Sequence, residues 1–136
     1  MSKRTYRRSK VRHDRHTVSM LSDHMVFTPK YRGKVLVGEV AVECKSVIQS
    51  VCADMEIEVM NLAVSPDHVH LFIAYPPKYS LSFVANKIKG ISSKVLRAKF
   101  PHLKQWCKKG LWAPSCFHGS VGHGHEVVDK YIELQK

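Results

Sequence analysis

No run of this chain approaches the ~20 consecutive apolar residues that a membrane-spanning helix requires. The charged opening MSKRTYRRSKVRHDRH is followed by no apolar stretch either, so neither a bilayer span nor a secretory signal is expected. The four cysteines, Cys44, Cys52, Cys107 and Cys116, form no C-x-x-C pair. On one helix Cys44 and Cys52 would stand two turns apart, roughly 12 Å at the helical rise, too far to bridge. A zinc knuckle and a disulfide framework are therefore not expected, and the thiols read as small, mostly buried hydrophobes in a reducing compartment. Internal repeats and low-complexity segments are also missing. Acidic residues are scarce, 11 Asp and Glu against 22 Lys and Arg. A cytoplasmic, membrane-free protein is the expectation.

What remains is a basic chain of one-domain size. Its 136 residues, 44% hydrophobic and 24% charged, suit a globular domain that buries roughly two-thirds of its unfolded surface. A net charge of +11 repels itself in a compact fold and is tolerated where a polyanion neutralises it. Lys3, Arg4, Arg7, Arg8, Lys10, Arg12 and Arg15 crowd the first 15 positions. That arm, residues 1–21, is either a nucleic-acid contact or a solvated tail; the basic remainder of the chain favours contact. Residues 22–136 then form a single domain.

Residues 22–27 read as a strand stopped by Thr28-Pro29. From Gly38 the apolar residues Val40, Cys44, Val47, Ile48, Val51, Cys52 and Met55 recur at helical spacing. Residues 56–64 read as a second strand, and Ser65-Pro66-Asp67 turns the chain into a third at 68–75. So short a connection makes those two an antiparallel hairpin. Leu81, Val84, Ile88, Ile91 and Val95 mark a second helix that ends before Pro101 and is weakened by Gly90. A basic linker at 104–110, a fourth strand at 115–121, a glycine-histidine loop and a short helix at 126–136 complete the chain. The order βαββαβ predicts an α+β, ferredoxin-like sandwich: an antiparallel four- to five-stranded sheet with helices on one face, plus an added C-terminal helix.

On a strand, residues two apart share a face. His68 and His70 therefore project together, while Val69, Leu71 and Ile73 enter the core. Two imidazoles so placed can hold a divalent ion, or can simply be polar residues on an exposed face. His123 and His125 repeat the spacing between glycines, where nothing holds two rings in register. On the last helix Tyr131 and Gln135 are four apart and share a face. Tyr131 is either a core aromatic or a nucleophile beside an amide ligand; the apolar surface already supplied by Val127, Val128, Ile132 and Leu134 favours the second.

These pieces resemble a known family. Pro66-Asp67-His68-Val69-His70 matches the histidine–hydrophobic–histidine signature of the HUH nucleases. More narrowly, six stretches in order are similar to the single-tyrosine transposases of small bacterial and archaeal insertion sequences, the TnpA family. They are His24-Met25-Val26-Phe27-Thr28-Pro29-Lys30-Tyr31-Arg32, then Pro66 through Phe72, and Lys89-Gly90-Ile91-Ser92-Ser93. Leu111-Trp112-Ala113-Pro114-Ser115 with Gly119-Ser120-Val121-Gly122 and Tyr131-Ile132-Glu133-Leu134-Gln135 follow.

The resemblance implies metal-dependent cleavage and rejoining of single-stranded DNA at the hairpin ends of an insertion sequence. Tyr131 would attack and form a 5′-phosphotyrosine, and His68, His70 and Gln135 would bind Mg²⁺ or Mn²⁺. It also implies a homodimer with shared active sites. Lys30, Arg32, Lys87, Lys89, Arg7 and Arg8 are the expected DNA contacts; the arm is longer than the family core needs. The rival reading is a non-catalytic RNA- or DNA-binding module of RRM-like fold, which would want paired aromatics on its central strands. A metal-dependent oxygenase would want a third histidine or a carboxylate and leaves the charge unexplained.

Overall fold

The computed structural model describes residues 20–114 and the backbone of 117–120. It is an α+β unit. The elements are β1 (Leu21–Phe27), a single 3₁₀ turn (Lys30–Arg32), α1 (Gly38–Asp54), β2 (Glu58–Ser65) and β3 (His68–Tyr75). After these come α2 (Leu81–Lys99), the short α3 (His102–Trp106) and β4 (Phe117–Ser120). The strands form one antiparallel sheet in the order β2-β3-β1-β4. The helix expected at 126–136, with Tyr131 and Gln135, lies outside the described residues, as do residues 1–19 of the arm and the pair His123 and His125. Leu21, expected in the arm, instead pairs with Tyr75 as the first residue of β1.

Hydrophobic periodicity decides which face of each element is buried. From α1 come Val40, Cys44, Val47, Ile48, Val51 and Cys52, and from α2 Val84, Ile88 and Leu96. They meet Met25 and Phe27 of β1, Leu62 of β2 and Val69, Leu71 and Ile73 of β3 in one core. Each such side chain contributes about 1.5–3 kcal/mol when fully buried. Burial pushes the Cys44 and Cys52 thiols up to about 12, so both stay neutral packing groups. Ser80 caps α2 by accepting from the Phe83 amide at 3.1 Å. The helix stops at Phe100, which Pro101 holds out of helical geometry.

Two local readings need correction. Glu56 takes a left-handed φ of 60° in a turn, so β2 starts at Glu58 rather than at 56. A register shift between Val59 and Asn61 bulges the strand at Met60. Val59 pairs with Ile73 before the bulge, and Leu62 and Val64 pair with Leu71 and Val69 after it. Without that extra residue one half of the strand would turn its apolar side chains away from the core. Secondly, the basic stretch expected to be a linker is partly α3, anchored by the buried Leu103.

The stretch 111–113 is clamped between α2 and the end of β1. Ala113 N–H donates to Thr28 carbonyl (2.8 Å) and Lys30 N–H to Leu111 carbonyl (2.9 Å). The Trp112 indole packs edge-on against Phe27 at 4.8 Å and donates to Ser92 Oγ at 2.9 Å. Ser93 Oγ accepts from Leu111 N–H, and Lys89 Nζ donates to the Ala113 carbonyl at 2.8 Å. A buried indole and a buried hydroxyl thereby satisfy each other.

Gly33 has a packing role of its own. A Cβ there would come within 2.6 Å of the Trp106 ring. Gly33→Ala should therefore force the indole aside and lower stability by about 1–3 kcal/mol, read as a drop in the urea midpoint with unchanged m-value.

Candidate active site

The sheet face opposite the helices carries the titratable groups. Val69, Leu71 and Ile73 are fully buried, and by alternation His68, His70 and Phe72 take the other face of β3, all partly exposed. β1 pairs with β3 so that Val26 lies opposite His70 and His24 opposite Phe72. His24 consequently reaches diagonally to His70, with ring centroids 4.4 Å apart and planes tilted by 49°, and meets Phe72 edge-on at 4.9 Å. Three imidazoles thus share this face, two from β3 and one from β1.

His68 is held from behind. Its Nδ1 lies 2.9 Å from Asp67 Oδ1, and the other carboxylate oxygen accepts from Arg32 Nε at 2.8 Å. A carboxylate can only accept, so Nδ1 carries the proton and donates, leaving Nε2 as the nitrogen through which the ring could ligate an ion. Burial by itself would raise the Asp67 carboxyl. The His68 hydrogen bond and the positive charges of Arg32 and His68 outweigh it and hold the group below the ordinary carboxylate value. Arg32 reaches Asp67 because Tyr31 and Arg32 adopt left-handed φ values of 60° and 49° in the turn after β1.

Of the expected site residues, His68 and His70 come together as read. Arg32, expected on DNA, has its Nε engaged with Asp67, and Lys89 has Nζ on a backbone carbonyl. Lys30 is half-buried in the turn, and Lys87 is exposed, its ammonium 5.7 Å from the Phe83 ring. Tyr131, Gln135, Arg7 and Arg8 lie outside the described residues. Reading the residues alone missed His24 as a neighbour of the pair, and Asp67 and Arg32 as its support.

A divalent ion is a chemical fit for this arrangement, though an incomplete one. Among the described residues no three His, Cys, Asp or Glu side chains converge on a metal-binding point. Two imidazoles, one with its tautomer locked by a carboxylate, make the histidine half of a site with a second layer of support. A third donor would have to come from beyond the described residues, where the amide of Gln135 is the candidate.

Comparison with known proteins gives the family. The family model for IS200-like transposases matches residues 17–135. The ISDra2 transposase TnpA of Deinococcus radiodurans is 35% identical over 120 residues, 87% of this chain and 86% of that protein. The transposase of insertion sequence element IS200 from Salmonella typhimurium is 29% identical over 113 residues, 82% of this chain and 74% of that one. A crystal structure described as that of a transposase from Deinococcus radiodurans R1 superposes with a TM-score of 0.84. It is 32% identical, covering 91% of this chain and 97% of the other. A REP-associated tyrosine transposase bound to a REP hairpin shares the fold at a TM-score of 0.55 and 17% identity, over 98% of this chain and 69% of that one. With a family match spanning most of its length and a relative 35% identical over 87% of it, the chain belongs to the IS200-like transposases.

Proposed function

We propose that this transposase cuts and rejoins single-stranded DNA at the hairpin ends of an insertion sequence. Tyr131 is the nucleophile, and His68, His70 and Gln135 hold Mg²⁺ or Mn²⁺. The observation that carries the proposal is the Asp67-locked His68 beside His70 on the half-buried sheet face opposite the helices, in a chain of this family. The strand order β2-β3-β1-β4, with α1 and α2 packed on each other, supports the ferredoxin-like reading, and the tyrosine helix added after β4 is part of the same proposal. The hairpin carried by the REP-associated transposase supports the choice of substrate.

The chemistry follows from the groups involved. A tyrosine hydroxyl is only ~0.1% ionised at neutral pH, and making it an anion costs about 4 kcal/mol. A divalent cation on the two imidazoles supplies the charge that offsets this and polarises the scissile phosphate. The Tyr131 phenolic oxygen bonds to phosphorus as its proton leaves, and the P–O3′ bond breaks to give a 5′-phosphotyrosine and a free 3′-OH. One phosphodiester has replaced another, so attack by a 3′-OH reverses the step and rejoins strands without ATP. Imidazole and amide donors suit a borderline-to-hard ion with a position left open for phosphate.

Asp67 orients His68 in this scheme. Asp67→Asn should keep a hydrogen-bond acceptor but lose the charge that serves both His68 and Arg32. A 10- to 100-fold weakening of Mn²⁺ binding is expected, read by electron paramagnetic resonance titration (about the range for supports of metal-ligating histidines). Unchanged Mn²⁺ affinity would remove Asp67 from the site.

The RRM-like alternative places paired aromatics on the two central strands. On β1 and β3 the sheet face opposite the helices offers His24, His68 and His70 with a single phenylalanine, Phe72. The deciding experiment is incubation of the protein with a library of single-stranded hairpin oligonucleotides in Mn²⁺, followed by denaturing electrophoresis. A DNA-linked protein band supports the transposase chemistry; binding without any covalent band supports the module. The working unit is proposed to be a homodimer, with β4 at an edge of the sheet available for pairing. No helix among the described residues is long and apolar enough to cross a membrane, and a cytoplasmic location is part of the same proposal.

A further inference from the structure

We propose that Tyr31 is a stacking platform for an unpaired nucleobase of the strand entering the His68–His70 site. This rests on the reading of the chain as a single-strand transposase. With 76% of its surface exposed, Tyr31 is the most exposed large apolar side chain among the described residues. It also sits at a φ of 60°, followed by Arg32 at 49°. A non-glycine residue in left-handed geometry is strained, and an exposed ring gains little packing to offset the strain. A turn that needed only this backbone shape would be better served by glycine or asparagine. Packing therefore does not account for an aromatic ring at this position.

The ring is exposed and yet held. Trp106 lies edge-on to it at 6.2 Å, and Trp106 itself rests against Gly33, where a side chain would collide. A ring held at its edge, with most of its surface open, loses little freedom on binding a flat partner. Lysines are near it in the chain: Lys30 and Lys34 flank the turn, and Lys108 and Lys109 precede Leu111, whose carbonyl accepts from Lys30 N–H. An aromatic face amid lysines is the combination that binds single-stranded nucleic acid, because every base has a π-face and every linkage a negative charge. Duplex bases are stacked on one another and offer no face to such a ring.

The position fits the site. Arg32, the next residue, reaches Asp67 at 2.8 Å, and Asp67 reaches His68 at 2.9 Å. The same strained turn that aims Arg32 at the histidine support throws Tyr31 outward. In this proposal, a strand with its scissile phosphate at the histidines lays a neighbouring base on this ring.

The test uses the full chain and a fluorescein-labelled single-stranded 20-mer of oligo-dT, read by anisotropy. Tyr31→Ala should weaken binding roughly 5- to 150-fold, the range of one base–aromatic stack. Tyr31→Phe and Tyr31→Trp should stay within about two-fold of wild type. Tyr31→Gly separates recognition from folding: it relieves the strained φ, so the melting temperature should hold or rise while affinity falls as for alanine. Affinity unchanged in Tyr31→Ala overturns the proposal. So does a Tyr31→Gly variant that loses stability and affinity together, or an equal loss on a blunt duplex of the same length. The parent reading has its own readout, the covalent adduct in Mn²⁺. A platform effect without an adduct removes the transposase chemistry and keeps the stacking site; an adduct with no Tyr31 effect does the reverse. A wild-type chain that binds no single strand overturns both.

Discussion

Replacing His68 and His70 together by alanine should abolish strand cleavage, lowering the rate about a thousand-fold or more. Several kcal/mol of charge stabilisation at the scissile phosphate depend on the ion these imidazoles are proposed to hold. Stability should change little. Both side chains stand on the face of β3 opposite the core, while Val69, Leu71 and Ile73, which carry the packing, are untouched. Hairpin binding should survive as well, because Lys and Arg contacts to phosphate do not require the ion. Melting curves and gel shifts on the double variant provide these controls. Wild-type cleavage by a folded double variant would dismiss the histidine site; loss of folding would show that the imidazoles serve the sheet.

The second large effect concerns Tyr131. Tyr131→Phe deletes one oxygen, and the covalent DNA adduct should vanish while binding persists. Mass spectrometry of the DNA-linked peptide should identify Tyr131; a link at Tyr75 or Tyr79 would refute the assignment. Tyr75 is already a poor nucleophile. It is buried, its hydroxyl donates to Asp23 at 2.7 Å, and burial together with that carboxylate pushes its pKa up to about 12. The same variant tests the shared site. Protein with both histidines replaced, mixed with Tyr131→Phe protein and allowed to exchange subunits, should regain cleavage if one subunit's tyrosine serves the other's histidines. Two inactive partners that stay inactive when mixed would place the site within one chain, and a monomer by light scattering would end the dimer.

The motifs that carried the family resemblance divide into two kinds once the fold is seen. Ser92, Ser93 and Lys89 on α2 hold Leu111, Trp112 and Ala113 against the end of β1. These stretches are far apart in the chain and read as separate matches, yet they form one structural clamp. The histidines, with Asp67 and Arg32 beside His68, form the other kind, on the sheet face opposite the core. Nothing in the spacing of the residues alone separated the two.

Alternation and periodicity by themselves determined much of this protein. The two-residue repeat of HVHLFIAY set His68 and His70 on one face and Val69, Leu71 and Ile73 on the other, since neighbouring side chains of a strand must point opposite ways. The apolar stripes of α1 and α2 and the short Pro66-Asp67 turn were equally legible, because each depends on residues close in the chain. What joins distant residues was not. The bulge at Met60 follows from fitting β2 to β3 while keeping Leu62 and Val64 inside. The contact of His24 with His70 depends on the β1–β3 register. The Arg32–Asp67 pair, 35 residues apart, exists because a left-handed turn after β1 meets the hairpin before His68. Only the tertiary structure could decide these, for strand register and turn geometry are set by what the packed core admits, and local spacing carries no record of it.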